Sequence, residues 1–121
     1  MVRILHLEDN SDDAFLIATL LRKAGIKNEI VVAPDQRAFS AALDLADIGL
    51  VLSDNCILGF DAIAALKEAR TLRPGIPFIC ISGSNDPERI HRIRAAGVDA
   101  VVSKENSDEI IAAVKRACGN R

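Results

Sequence analysis

Apolar and polar residues along this chain fall into two alternating patterns. Five short runs are apolar with few interruptions: Val2 to Leu7, Glu29 to Ala33, Gly49 to Asp54, Pro77 to Ile81 and Asp99 to Ser103. Runs of four to eight residues without polar alternation predict strands covered on both faces, as in a parallel sheet. Between them, apolar residues recur at helical spacing: Ala14, Ala18 and Leu21; Phe39, Ala42, Leu43 and Ala46; Ile63, Leu66 and Ala69; Ile90 and Ile93; Ile110, Val114 and Ala117. Start signals precede these stretches. Asn10-Ser11-Asp12-Asp13 offers caps and acids for a first turn, Pro34-Asp35 and Asp86-Pro87-Glu88 place a proline beside a capping acid, and Asn106 with Glu109 resembles a capping box. Gly25, Arg73-Pro74-Gly75 and Gly97 supply stops.

Five strands alternating with five helices predict right-handed crossovers and a doubly wound α/β fold. Sheets of this kind commonly take the order 2-1-3-4-5, with strands 1 and 3 adjacent at the switch point, where ligands bind beyond the carboxyl ends of the strands. The strand ends are chemically distinctive. The first runs into Glu8-Asp9, the third stops at Asp54, the fourth meets Ser82-Gly83-Ser84 and the fifth meets Lys104. That order brings Glu8, Asp9 and Asp54 together. Two unit charges about 5 Å apart at an effective dielectric near 20 repel by roughly 3 kcal/mol, so the cluster calls for a cation. Magnesium suits it, with hard oxygen ligands and retained waters, and Asp9 and Asp54 are the first candidate ligands. A metal with open positions, the Lys104 ammonium and the Ser82 hydroxyl together predict a receptor for a transferring phosphoryl group, with Asp54 as the nucleophile. Taken singly, each residue also has a structural reading: strand-end acids cap helices, Lys104 can pair with Asp9, and Ser82 can merely begin a loop.

Composition narrows the functional classes. The 121 residues carry a formal charge of -2 with acids and bases interspersed, which predicts one domain over residues 1–121 and no direct binding to nucleic acid. Arg3 and Glu8-Asp9 interrupt the apolar start, so neither a signal peptide nor a membrane span is expected, and a cytoplasmic location is. Cys56, Cys80 and Cys118 lack metal or disulfide spacing and read as reduced thiols. His6, between Leu5 and Leu7, reads as a packed core histidine; His91, beside Arg89, Arg92 and Arg94, reads as part of a solvated or partner-binding basic face.

With Glu8-Asp9 after the first strand, Asp54 ending the third, Ser82 the fourth and Lys104 the fifth, the whole chain resembles the receiver domains of two-component response regulators. The resemblance implies a flavodoxin-like fold, phosphorylation of Asp54, magnesium held by Glu8, Asp9, Asp54 and the backbone carbonyl of Cys56, and roles for Lys104 and Ser82 at the phosphoryl group. It also implies a phosphoryl donor, either a histidine kinase or a histidine phosphotransfer protein, and a signalling domain that catalyses only its own phosphoryl acceptance and hydrolysis. The resemblance also implies that output contacts could use the face formed by the fourth helix, the fifth strand and the fifth helix. Leu58, Glu105 and Val101 depart from the family pattern, which usually has a proline, a proline and an aromatic residue there. Leu58 should matter little beyond loop stiffness, whereas Val101 and Glu105 leave open a pseudo-receiver, an interaction module not switched by phosphorylation. Flavin binding is disfavoured, because the acidic loop after the first strand would repel a phosphate. Two further expectations concern conformation. The Lys104-Glu105 peptide is expected to be trans, and switching is expected to pass through the loop after Ser82, since Val101 has no ring to rotate.

Overall fold

The computed structural model describes residues 1–54, 60–83 and 86–119. Five strands, β1 (Arg3–Leu7), β2 (Ile30–Ala33), β3 (Ile48–Asp54), β4 (Phe78–Ser82) and β5 (Ala100–Ser103), alternate with helices α1 (Ser11–Lys23), α2 (Gln36–Leu43), α3 (Ala62–Leu72), α4 (Pro87–Ala96) and α5 (Ser107–Gly119). The strands form one sheet in the order β2-β1-β3-β4-β5, all neighbours parallel, as the alternation predicts.

The helix starts follow from local chemistry. Asn10 Oδ1 accepts from the N–H groups of Asp12 and Asp13 at 2.9 and 3.1 Å, satisfying donors that the first turn of α1 leaves open. Asp35, Asp61 and Asp86 cap α2, α3 and α4 in the same way. At the start of α5, Glu109 N–H donates to Asn106 Oδ1 while the Asn106 amide donates to Glu109 Oε2. α1 closes at Gly25, whose φ of 88° only glycine adopts at little cost. Gly25 N–H bonds Arg22 O and Ile26 N–H bonds Leu21 O, which is the paired pattern of a Schellman ending.

Each face of the sheet is covered. On one, Phe39 and Leu43 of α2 and Ala65, Leu66 and Ala69 of α3 pack on Leu5, Leu7, Val51 and Phe78. On the other, Ile17 and Leu21 of α1 and Ile110, Ala113 and Val114 of α5 pack on Ile4, Leu50, Leu52, Ile79, Ile81 and Val102. α4 is held more lightly, with Ile93 against Ala62 and Cys80. Three details depart from the sequence pattern. Ile17 rather than Ala18 is buried in α1. Ala46 is exposed beyond the end of α2, because that helix stops at Leu43 and leaves Ala46 in the connection to β3. Ile90 is only half-buried, so α4 faces the core through Ile93 alone. Strand ends shift by a residue at each disagreement, because hydrogen bonding to a neighbour, not hydropathy, sets where a ladder begins.

His6 is the one imidazole in this core, 1 % exposed. Period-2 alternation along β1 puts it on the Ile4 side, facing α1 and α5. Its Nδ1 has no hydrogen-bond partner among the described residues. Burial pushes its pKa down to about 4; the nearby Lys104 ammonium pushes the same way, while Asp54 and Asp13 partly oppose it.

Two outcomes follow from this packing. A Cβ at Gly49 would lie 2.6 to 2.8 Å from the side-chain atoms of Val2, which is β-branched and stiff. Gly49→Ala is therefore expected to destabilise the fold by about 1–3 kcal/mol in urea unfolding, with partial recovery in Gly49→Ala/Val2→Gly, which removes the clashing Cβ as well as both methyls. His6 is neutral when folded and titrates near 6.5 when unfolded, so its contribution to stability is complete above pH 6.5 and is lost as pH falls toward 4. In chelator, His6→Leu should gain on the native protein by about 3 kcal/mol between pH 7 and pH 4; parallel pH profiles would contradict this.

Candidate functional site

The sheet register assembles the rim. Leu7 pairs with Ser53, so Glu8 and Asp54 leave adjacent strands side by side. Glu8 N–H bonds Ala33 O at 2.9 Å, extending the ladder beyond β1 and fixing that carboxylate. Ser82 pairs with Ser103, and Lys104 N–H donates to Ser82 O at 2.9 Å, which orients the lysine at the end of β5 toward the same rim.

Glu8, Asp54 and Ser82 are buried, whereas Asp9 is exposed. One carboxylate oxygen from each of Glu8, Asp9 and Asp54 lies within 4.8 Å of the others. The Lys104 ammonium sits against this cluster, its Nζ 3.1 Å from Asp54 Oδ2, 3.1 Å from Asp13 Oδ2 and 3.5 Å from Glu8 Oε1. The lysine pairing foreseen with Asp9 is thus made instead with Glu8, Asp54 and Asp13. Asp13 is the member that sequence reasoning passed over. Its visible signal is an acid at the third position of a helix that starts at the rim, a place where acids are common for dipole reasons alone.

The electrostatics are those of crowded acids. Burial pushes the Glu8 carboxyl up to about 7, and a hydrogen bond with Asp54 and its negative charge add to the rise; the Lys104 ammonium and the Asn10 N–H, 3.3 Å from Glu8 Oε2, pull back. Burial alone would lower Lys104, but its hydrogen bonds to Asp54 and Asp13, with the charges of Asp54 and Glu8, raise it, so it stays an ammonium throughout the neutral range. His6 Nε2 lies 4.0 Å from Glu8 Oε1, beyond hydrogen-bond distance, so the imidazole leaves Glu8 without a partner from below.

The three oxygens are spaced as one small cation could gather them, since cis ligands on an octahedral magnesium at about 2.1 Å stand about 3 Å apart. A cation there would compensate the negative charge that burial disfavours on Glu8. The carbonyl of Cys56 and the loop position of Leu58 lie outside the described residues, as do Ser84 and Asn85 in the loop foreseen as the switching segment. Val101 is half-buried against Ala62, Cys80 and Ile93, and the Lys104-Glu105 peptide is trans, as anticipated. On α4, Arg89, His91, Arg92 and Arg94 are all exposed. Among the described residues, no helix is long and apolar enough to cross a membrane.

The chain is similar to known proteins in sequence and fold. The family model described as the response regulator receiver domain matches residues 4–115. The two-component response regulator ORR1 of Oryza sativa is 30 % identical over 116 residues, covering 86 % of this chain and 49 % of that protein. ORR2 of the same species is 31 % identical over 86 residues, covering 69 % of this chain and 33 % of that protein. The chain therefore spans a third to a half of the length of these curated relatives. Among solved structures, the receiver domain of NtrX from Brucella abortus superposes with a TM-score of 0.84 at 27 % identity, over 98 % of this chain and 99 % of that one. The receiver domain of sensor histidine kinase PA1611 from Pseudomonas aeruginosa PAO1, solved with a magnesium ion in its active-site cleft, has the same fold, with a TM-score of 0.82 at 20 % identity over 98 % of both chains. The match runs from the first strand into the fifth helix, across every strand end that carries the rim, and the chain belongs to the receiver domain family of two-component response regulators.

Proposed function

We propose that residues 1–121 form one receiver unit that accepts a phosphoryl group on Asp54 from the phosphohistidine of a histidine kinase or phosphotransfer protein. The observation that carries this reading is the Lys104 ammonium 3.1 Å from Asp54 Oδ2, at a carboxylate that also lies within 4.8 Å of Glu8 and Asp9 oxygens. An Asp54 oxygen attacks phosphorus, the P–N bond to the donor imidazole breaks, and the electron pair returns to the imidazole nitrogen. Glu8, Asp9 and Asp54, with the Cys56 carbonyl, would hold magnesium, which supplies charge neutralisation at the phosphoryl oxygens when bound. Lys104 stabilises charge on the same oxygens, held in reach by its backbone bond to Ser82. Ser82 offers its hydroxyl to the phosphoryl group from the end of β4. The protein acts as a cytoplasmic signalling domain that turns over only its own aspartyl phosphate, without binding nucleic acid or membrane directly, and passes the signal to a protein partner.

Incubation with acetyl phosphate and magnesium should add one phosphoryl group by mass, and Asp54→Asn should abolish it. Incorporation that persists in Asp54→Asn would move the acceptor elsewhere, and none in the native protein would favour the interaction module. Magnesium should also raise the melting temperature by mass action, a stabilisation of about 2.7 kcal/mol at a hundredfold excess over its dissociation constant. Asp9→Ala should lose most of that dependence while melting higher than the native protein in chelator, because one repelling carboxylate is gone; equal magnesium dependence in the two proteins would count against the ligand set.

A further inference from the structure

The Lys104 ammonium donates to two carboxylates, Asp54 at 3.1 Å and Asp13 at 3.1 Å, and a third, that of Glu8, lies 3.5 Å away. Two of those carboxylates belong to the three-oxygen cluster at the strand ends; Asp13 does not. It comes from the first turn of α1, 91 residues away in the chain, and the Asn10 cap bonded to its N–H at 3.1 Å keeps its backbone in place. Its side chain is 38 % exposed and that of Lys104 is 26 % exposed, so this pair sits at the mouth of the site, where an incoming phosphoryl group would meet it.

We infer that Asp13 is a positioning residue for Lys104, tethering the ammonium in the resting protein and competing for it with the phosphoryl group on Asp54. This inference rests on the phosphoacceptor reading given above. When phosphoryl oxygens replace the Asp54 contact, the flexible lysine stem lets the ammonium turn toward them, and the Asp13 contact must stretch or break. Asp13 also adds a negative charge near a group that is itself anionic, so it works against the phosphorylated state in both respects. A partly exposed ion pair contributes up to about 1 kcal/mol, which corresponds to a competition of about two- to fivefold.

Two double-mutant cycles on Asp13→Asn and Lys104→Met test this. In metal-free urea unfolding, the two substitutions should couple by about two- to fivefold in the unfolding constant; additive effects would remove the tether and overturn the inference. In magnesium and beryllofluoride, a mimic of the phosphoryl group, Asp13→Asn should bind beryllofluoride about two- to fivefold more tightly with Lys104 present, and the gain should shrink in Lys104→Met. An equal gain in both backgrounds would reduce Asp13 to a general field effect, and no gain would reduce it to a structural pair; either overturns the inference. A native protein that binds no beryllofluoride would sink the phosphoacceptor reading and the competition with it, while the unfolding cycle would still report whether the tether exists.

Discussion

Two carboxylates, Glu8 and Asp54, are buried side by side at the end of a parallel sheet, and the rest of the site depends on how their repulsion is met. Charges about 5 Å apart at an effective dielectric near 20 repel by roughly 3 kcal/mol, a large share of the stability of a small domain. The Lys104 ammonium offsets much of this from the end of β5, and its place is set by a backbone bond to the end of β4. The offset is incomplete: burial first, and then the hydrogen bond with Asp54 and its charge, still push Glu8 up to about 7. That residual strain is what a divalent cation can relieve, and it makes the rim a receptor rather than a finished ion pair.

Beneath the rim the buried strand residues are apolar apart from His6 and Ser53, and this division decides what each strand residue can do. His6 sits two residues before Glu8, yet its depth holds it neutral and its Nε2 remains 4.0 Å from the carboxylate. Helix α1 crosses the boundary. Ile17 and Leu21 anchor it in the core while Asp13, one turn earlier, reaches the lysine at the mouth. One helix thereby joins the packing of the sheet to the charges of the site.

Membership of the receiver family accounts for the fold, and the positions that depart from its expected pattern have local physical meaning. Val101 is β-branched and packs against Cys80 and Ile93, so this part of β5 is filled by stiff side chains. α4 rests on the core through Ile93 alone and carries its arginines outward, which makes it a helix lightly constrained by burial. The curated relatives ORR1 and ORR2, about twice the length of this chain, match it over 86 % and 69 % of its residues.

The sequence by itself determined the fold class, the strand number and the identities of Glu8, Asp9, Asp54, Ser82 and Lys104 as strand-end residues, because unbroken apolar runs and capping side chains are local signals. It also marked His6 as core, from its two leucine neighbours. It misjudged Ala18, Ala46 and Ile90, since hydropathy at helical spacing does not say where a helix stops or how closely it docks. Only the tertiary structure decided which carboxylates Lys104 meets. Asp13 joins Glu8 and Asp54 around the ammonium while Asp9 does not, because that choice depends on the angle at which α1 leaves the rim and on 91 residues of intervening chain, and neither leaves a local trace.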